Sequence, residues 1–379
     1  SPTARDSFWS WRERMYALAG QLDTSSMAAI AHQAYGEMLE SGYTSVVEFH
    51  YLHRPTSGES AAAMFAALAA AARSTGIRLT YVPVLYERAG FESPAPESHQ
   101  AMFALDVAAF LDHHAECVGK TTDMLAVGIG AHSLRAVSQG ALAKIVAAAG
   151  DGPIHLHIAE QQDEVEQCIA ATGQRPVQWL LENFAVDESW CLVHATHMNQ
   201  DETAGLARSG ATVCLCPTTE GNLGDGLFPL PDYLSNDGRI AIGSDSQVSI
   251  NPFEELRWLE YGQRLASQSR NVATVADAHV GRELFTRVIE GGAKASGAAM
   301  TGLAEGSPAD LVVLDDTDPM FAGHTDDTLL DALVFSGYRL PIERVMVHGD
   351  WRVIDGDHVL QDESRAGFAA AMQDLVASR

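Results

Sequence analysis

Residues 154–160 read Ile154-His155-Leu156-His157-Ile158-Ala159-Glu160, a short apolar run that carries two histidines and ends in a carboxylate. Side chains alternate along a β-strand, so His155 and His157 are expected to point to the same side. If the strand belongs to a barrel, that side is the interior. We therefore expect His157 and Glu160, which lie nearer the carboxyl end of the strand, to meet other reactive groups there.

Strand-length apolar runs alternate with longer amphipathic segments on both sides of this stretch. The runs cover residues 45–50, 79–85, 125–132, 154–158, 190–194, 211–216 and 240–245, and helical segments lie between them at 61–74, 99–118, 139–149, 163–171 and 176–183. This alternation predicts an α/β fold with a parallel sheet covered by helices. Seven strands are one fewer than a (β/α)8 TIM barrel has, so the pattern predicts a TIM barrel whose first strand lies outside this sequence.

The character of the chain changes after two helical stretches at 252–269 and 276–291. Short strands joined by glycine and aspartate turns follow at 303–315, 345–349 and 351–356, and a helix at 364–376 closes the chain. We therefore predict a barrel over 1–300, a small β-rich unit, part of a β-sandwich, over 301–360, and a C-terminal helix over 361–379.

The composition restricts the class of protein. The 379 residues carry a formal net charge of -26, which argues against nucleic acid and anionic membranes as partners. No run approaches the roughly 20 apolar residues of a membrane span, and the first residues lack a signal-peptide pattern. The cysteines form no Cys-x-x-Cys pair, which indicates free thiols in a reducing cytoplasm: Cys117, Cys168, Cys191, Cys214 and Cys216.

Ionisable residues lie at the predicted carboxyl ends of several strands, where barrel enzymes build their active sites. A single histidine at such a position is more often structural than catalytic. Several on neighbouring strands indicate a metal site, because a buried ionisable cluster is costly unless it is paired or bound to a metal. Histidine nitrogen and carboxylate oxygen suit zinc. The residues are Glu48, His50, His132, His155, His157, His194 and Asp245.

The positions of these residues along their strands suggest different roles. His157 is the better candidate ligand, whereas His155 lies deeper and is expected to be a hydrogen-bonded core histidine. Glu160 follows in the strand-to-helix turn, where a carboxylate can carry protons over a metal. Asp245, at the end of the last strand, is a candidate both to bind the metal and to hold the attacking water.

Nine motifs are similar to those of the amidohydrolase superfamily and, within it, of the formimidoylglutamate deiminase family, from about Asp6 to the end of the chain. The motifs are Phe8-Trp9-Ser10-Trp11-Arg12-Glu13, Glu48-Phe49-His50-Tyr51, His132-Ser133-Leu134-Arg135, His157-Ile158-Ala159-Glu160-Gln161-Gln162, Val193-His194-Ala195-Thr196-His197, Asn222-Leu223-Gly224-Asp225-Gly226, Gly243-Ser244-Asp245-Ser246, Glu255-Leu256-Arg257-Trp258-Leu259-Glu260-Tyr261-Gly262 and Ala309-Asp310-Leu311-Val312-Val313-Leu314-Asp315.

This resemblance implies zinc-dependent hydrolysis of N-formimidoyl-L-glutamate to N-formyl-L-glutamate and ammonia, in histidine degradation, by a cytoplasmic homodimer. It implies that His157 and Asp245 bind zinc, that Glu160 is the acid/base, and that His194 and Asp245 act on the water and the intermediate. The substrate-holding positions that it implies are Arg12, Tyr51, His132 and Arg135. Two arginines suit a small-molecule dicarboxylate, because guanidinium groups bind carboxylates in bidentate fashion.

Two alternatives remain open at this stage. One is an aminohydrolase of a purine or pyrimidine ring, although a neutral ring does not require two guanidinium groups. The other is a catalytically silent, truncated remnant that acts only as a binding protein. Members of this superfamily carry His-x-His on the first barrel strand, and the sequence has none before residue 150.

The two further histidine ligands are therefore expected from a segment outside this sequence. Without them we expect weak zinc binding or none, since catalytic zinc sites have three protein ligands. Gln247 stands where the family commonly has histidine, which affects a contact around the metal ligands rather than the reaction itself.

Overall fold

A curled parallel sheet forms the centre of the protein in a computed structural model, which describes residues 8–55, 58–246, 249–274, 278–298, 302–326, 328–337 and 339–377, with side chains from residue 14 onward. The strands are β1 Ser45–His50, β2 Arg78–Leu85, β3 Leu125–Val127, β4 Ile129–Ser133, β5 Ile154–Ile158, β6 Trp190–His194, β7 Thr212–Leu215 and β8 Arg239–Ile242. All pairings in this sheet are parallel, in the order β1-β2-β4-β5-β6-β7-β8, with β3 also on β2. The predicted α/β fold is confirmed, and within the described residues no pairing joins β1 to β8.

The predicted run at 125–132 is split into β3 and β4 at Gly128. A Cβ atom at this position would lie 2.7 Å from the backbone oxygen of Pro153. Only glycine allows the two segments to approach so closely. The split therefore follows from local packing at Gly128, and it affects none of the other predicted strands.

Helices pack around the sheet and on one another: α1 Phe8–Ala19, α2 Thr24–Glu40, α3 Ala61–Thr75, α4 Val107–Val118, α5 Gln139–Ala148, α6 Gln162–Thr172, α7 Pro176–Asn183, α8 Gln200–Ser209, α9 Pro217–Leu223, α10 Leu230–Ser235, α11 Pro252–Ser267, α12 Val280–Ala295, α13 Leu329–Phe335 and α14 Gln361–Ala377. The sequence did not predict α8, α9, α10 and α13. Three of these have only six or seven residues, too few for an apolar periodicity to be recognised. Within the described ranges, none of the helices combines the length and apolarity that a membrane span requires.

The main core lies between the sheet and the helices. Outward-facing residues of the strands, such as Leu156, Leu192 and Val213, are fully buried in it. The alternate residues face the barrel interior. There His155 lies deep, and its Nε2 is 2.7 Å from the backbone oxygen of Ala295 at the end of α12. It is thus a hydrogen-bonded core histidine, as its position in the sequence predicted.

A second, antiparallel sheet has the order β12-β11-β10-β9. Its strands are β9 Leu311–Leu314, β10 Ile342–Val347, β11 Asp350–Ile354 and β12 Asp357–His358. Val345 and Val353 are packed in one core with Tyr35 and Leu39 of α2, so the small sheet is buried against the barrel helices. Helix α14 also packs on α2, whereas α13, between β9 and β10 in sequence, packs on α11 and α12.

Candidate active site

A recess of about 730 Å³ opens at the carboxyl ends of the parallel strands. Most of the lining side chains are polar or ionisable, and they come from the ends of five strands (β1, β4, β5, β6 and β8), from α6 and from α1. They are Met15, Tyr16, Tyr51, His132, Ser133, Arg135, His157, Glu160, Gln161, Glu164, Gln167, His194 and Asp245. The sequence-predicted residues of β4, β5, β6 and the β8 end therefore converge in one place.

Four of these residues form the floor of the recess. The Nε2 atom of His194 is 3.7 Å from Oε1 of Glu160 and 4.0 Å from Oδ2 of Asp245. The rings of His157 and His194 are stacked, with their centroids 5.5 Å apart. Two carboxylates and two imidazoles thus surround a single small volume, which is the arrangement that proton transfer to a bound substrate needs.

The backbone at this floor adopts a conformation that is uncommon for residues with a side chain. Ala159, His194, Ala195 and Asp245 have φ values between 47° and 70°, in the left-handed region. Hydrogen bonds from the Ala195 and His197 amides to the carbonyls of Ile158 and Ala159 hold the β5 and β6 ends together. Strained residues of this kind persist where the surrounding structure fixes them, often at active sites.

Burial and neighbouring charges shift the pKa values of Glu160, His157 and His194 on this floor. Burial raises the pKa of Glu160 to about 7, so this carboxyl can both donate and accept a proton near neutral pH. Burial, together with the neighbouring His194, lowers the pKa of His157 well below its ordinary value and keeps that imidazole neutral. Burial also acts to lower the pKa of His194, but the carboxylates of Glu160, Glu220 and Asp245 outweigh it and raise the pKa well above its ordinary value.

Glu220 is a functional candidate that the sequence analysis missed. It lies in the first turn of α9, it is 5% exposed, and its Oε1 is 3.2 Å from Nδ1 of His194. The same oxygen accepts the backbone N–H of Cys216 at 2.9 Å. The signal available in the sequence was its position, since it is a carboxylate four residues beyond the predicted strand 211–216. Glu160 has a similar position, shortly after the end of β5.

Three of the residues that the sequence analysis named for substrate binding, Tyr51, His132 and Arg135, line the recess on the β1 and β4 side. The rings of Tyr51 and His132 meet edge-on with centroids 5.0 Å apart, and His132 lies 5.2 Å from His157. Arg135 lines the recess, and its Nη1 donates to the backbone oxygen of Ala89 at 2.7 Å, which fixes the guanidinium group. Arg12 lies in α1, but its side chain is outside the described residues.

Two of the strand-end residues do not reach the recess. Glu48 and His50 alternate with the inward-facing Phe49 and point toward the helices. Glu48 accepts a hydrogen bond from Tyr35 Oη at 3.0 Å, and His50 Nε2 lies 3.0 Å from the backbone oxygen of Leu52. The expectation that they join the reactive cluster is wrong for the part of the chain that the structure describes, because the β1 register turns them outward.

The donor set of the floor fits a divalent transition metal in part. His157 offers a neutral imidazole and Asp245 a carboxylate, and both line the recess. These are ligand types that zinc prefers. Among the described residues, the ligand atoms of His194, Cys216 and Glu220 lie within 4.8 Å of one another. Gln247, which follows Asp245 by two positions, lies outside the described residues.

Comparison with known proteins gives three findings. The sequence model described as the amidohydrolase family matches residues 2–352. Formimidoylglutamate deiminase of Pseudomonas aeruginosa is 45% identical over 98% of this chain and 83% of that protein, and 8-oxoguanine deaminase of the same organism is 26% identical over 94% and 78%. The crystal structure of an amidohydrolase from Brucella melitensis superimposes with a TM-score of 0.95 at 41% identity, over 99% of this chain and 84% of that one.

Proposed function

The chain belongs to the amidohydrolase family, and from this premise we propose that it hydrolyses N-formimidoyl-L-glutamate to N-formyl-L-glutamate and ammonia. The proposal rests on the 45% identity to formimidoylglutamate deiminase over 98% of the chain. The recess supports it, because proton-transfer groups lie at one end and a guanidinium group lines the same space. In this reaction water replaces the terminal nitrogen of the formimidoyl carbon, and that nitrogen leaves as ammonia.

We propose that His157 and Asp245 hold one zinc ion, with two further histidine ligands from a segment outside this sequence. A zinc ion in such a site lowers the pKa of a bound water molecule toward ~7. Asp245 is placed to accept the proton that the attacking water loses. Because the Nε2 atom of His194 is 4.0 Å from Asp245, the imidazole can donate a hydrogen bond to the oxygen that attacks.

Glu160 is proposed as the group that delivers a proton to the leaving nitrogen. Its pKa of about 7 suits this role. An acid whose pKa is near the working pH is protonated in a large fraction of the molecules and still donates its proton readily. His194 Nε2 lies 3.7 Å from its carboxylate, so a proton can pass between the two groups. The side chain of Glu160 is 16% exposed, which limits exchange of that proton with bulk water.

The glutamate part of the substrate is proposed to lie toward Tyr51, His132 and Arg135. Arg135 supplies a fixed guanidinium fork for one carboxylate, and Arg12 is proposed for the other. Binding at both carboxylates would hold the formimidoyl carbon over the floor of the recess. Homodimer formation, a cytoplasmic location and the division into units at 1–300, 301–360 and 361–379 also remain proposals.

The proposal is tested by ammonia release from N-formimidoyl-L-glutamate, measured with the full-length, zinc-loaded gene product. Guanine, 8-oxoguanine and cytosine are the comparison substrates, since 8-oxoguanine deaminase is a relative. Turnover of the amidine but not of the rings is the expected result. Turnover of a ring without turnover of the amidine would refute the substrate assignment. Zinc bound near one equivalent by the purified chain would contradict the silent-remnant alternative.

A further inference from the structure

A group of buried side chains on the far side of His194 has the composition of a second cation site. His194, Cys216 and Glu220 are 1%, 2% and 5% exposed, and one ligand atom from each lies within 4.8 Å of the others. Cys216 lies between β7 and α9, and Glu220 follows it by one helical turn in α9. The group is separate from the proposed zinc ligands His157 and Asp245, and no proposed substrate-holding residue belongs to it.

The geometry leaves donor atoms that an ion can use. Nδ1 of His194 and Oε1 of Glu220 are 3.2 Å apart, a separation that two ligands of one tetrahedral metal can have. Oε1 also accepts the Cys216 amide, so it is anchored, and Oε2 of the same carboxylate remains a second donor atom.

The local chemistry favours a thiophilic ion. A thiolate, an imidazole and a carboxylate together select zinc or its softer relative cadmium over magnesium or calcium, which prefer all-oxygen sites. Further sulfur lies nearby, because the Cys191 and Cys214 side chains pack in one small cluster. A Cβ atom placed on Gly243 would lie 3.5 Å and 3.6 Å from the Cys214 and Cys216 sulfurs, so both face the same space.

We infer that His194 Nδ1, Cys216 Sγ and the Glu220 carboxylate form a binding site for a thiophilic divalent cation. The ion takes the nitrogen through which Glu220 contacts His194, so its binding releases the Nδ1 proton and the Cys216 thiol proton to solvent and breaks that hydrogen bond. It also neutralises the charge of Glu220 beside the catalytic imidazole. The site therefore couples the concentration of such an ion to the state of the recess, and excess metal is inhibitory.

The first test is titration of the purified chain with cadmium, followed by ultraviolet cadmium–thiolate charge-transfer absorption. The proposed zinc ligands contain no sulfur, so this band reports an ion bound to cysteine rather than the zinc site, and it needs neither substrate nor turnover; cysteine variants show which thiol binds the ion. We expect a band that saturates at one cadmium per chain. Its absence overturns the inference and leaves the proposed function untouched.

Variants locate the ion. The band is expected to disappear in Cys216→Ser and to weaken strongly in Glu220→Gln. It is expected to persist in Cys117→Ser, a matched control, because Cys117 is also a buried thiol beside an imidazole, 3.7 Å from His113 Nε2. Cys214→Ser is expected to keep the band. Survival in Cys216→Ser, or loss in Cys214→Ser, would place the ion on the neighbouring thiols and overturn the ligand assignment.

A second measurement covers the inhibitory effect and rests on the proposed function. Ammonia release by the full-length, zinc-loaded protein is followed as cadmium is added, and each variant is normalised to its own rate without cadmium. Wild type and Cys117→Ser are expected to lose at least tenfold in rate at saturation, and Cys216→Ser less than twofold. Equal inhibition of all three variants would overturn the coupling. The unfolding midpoint of each variant confirms that it is folded.

Discussion

Replacement of Glu220 by glutamine tests how the recess controls His194. In the structure Oε1 of Glu220 serves both Nδ1 of His194, at 3.2 Å, and the amide of Cys216, at 2.9 Å. A glutamine oxygen can accept both bonds with the same shape. The substitution therefore removes the negative charge and leaves the geometry in place, so its effect measures charge alone.

The magnitude follows from the type of bond. A hydrogen bond to a charged group contributes about 1.5–3 kcal/mol, and a neutral one about 1 kcal/mol. If the Glu220 charge acts mainly while His194 stabilises the negative charge that develops on the attacking oxygen, its removal costs up to about 2 kcal/mol of transition-state stabilisation. This corresponds to a fall in kcat of up to roughly 30-fold. KM should change less than about threefold, because Glu220 does not line the recess.

Steady-state ammonia release from N-formimidoyl-L-glutamate by the full-length, zinc-loaded protein provides the assay. Glu255→Gln is the matched control, since Glu255 is also fully buried and accepts hydrogen bonds, but from Thr218 rather than from a group of the recess. Its kcat should change less than twofold. The reasoning is refuted if Glu220→Gln keeps wild-type kcat, or if both variants lose the same factor.

Four further outcomes are expected. Glu160→Gln should lower kcat by about 10²- to 10⁴-fold in the same assay with little change in KM, the range for loss of a general acid; a loss below tenfold would remove Glu160 from that role. Arg135→Lys should raise KM at least tenfold with a smaller change in kcat, because lysine lacks the bidentate fork; an unchanged KM would contradict carboxylate binding there. Gly291→Ala should lower the free energy of unfolding by several kcal/mol in chemical denaturation, because a Cβ there would overlap the backbone of β8. Gly292 has open space around it, so Gly292→Ala should raise the free energy of unfolding by up to about 1 kcal/mol. Equal effects of the two substitutions would contradict this packing. Burial raises the pKa of Glu255 to about 8, so the folded state holds a proton that the unfolded chain, with a pKa of 4.5, has released. The free energy of unfolding should therefore fall between pH 4.5 and 8, by at most about 1.4 kcal/mol per pH unit from this group, and Glu255→Gln should flatten that slope in urea titrations at several pH values; parallel slopes would exclude the effect.

Local patterns in the sequence determined the order of elements and the strand ends. A buried parallel strand must be apolar over most of its length and must stop at polar residues, so the runs at 45–50, 154–158 and 190–194 marked their own limits. Helices with long apolar faces, such as α3 and α12, were recognisable for the same reason. Position along β5 also separated His155 from His157 in depth, and both positions agree with the structure.

Contacts between distant segments decided the rest. Whether a side chain of β1 faces the recess or the helices depends on register, and register is set by pairing with β2, which turned Glu48 and His50 outward. Glu220 became a partner of His194 only because α9 folds back over the end of β6, 26 residues away in sequence. The shift in the pKa of Glu160 arises from burial and from charges on three other segments. The sequence thus identified ionisable groups of the recess. The fold determined which of them act on one another, because the burial and the protonation state of a side chain depend on its neighbours in space.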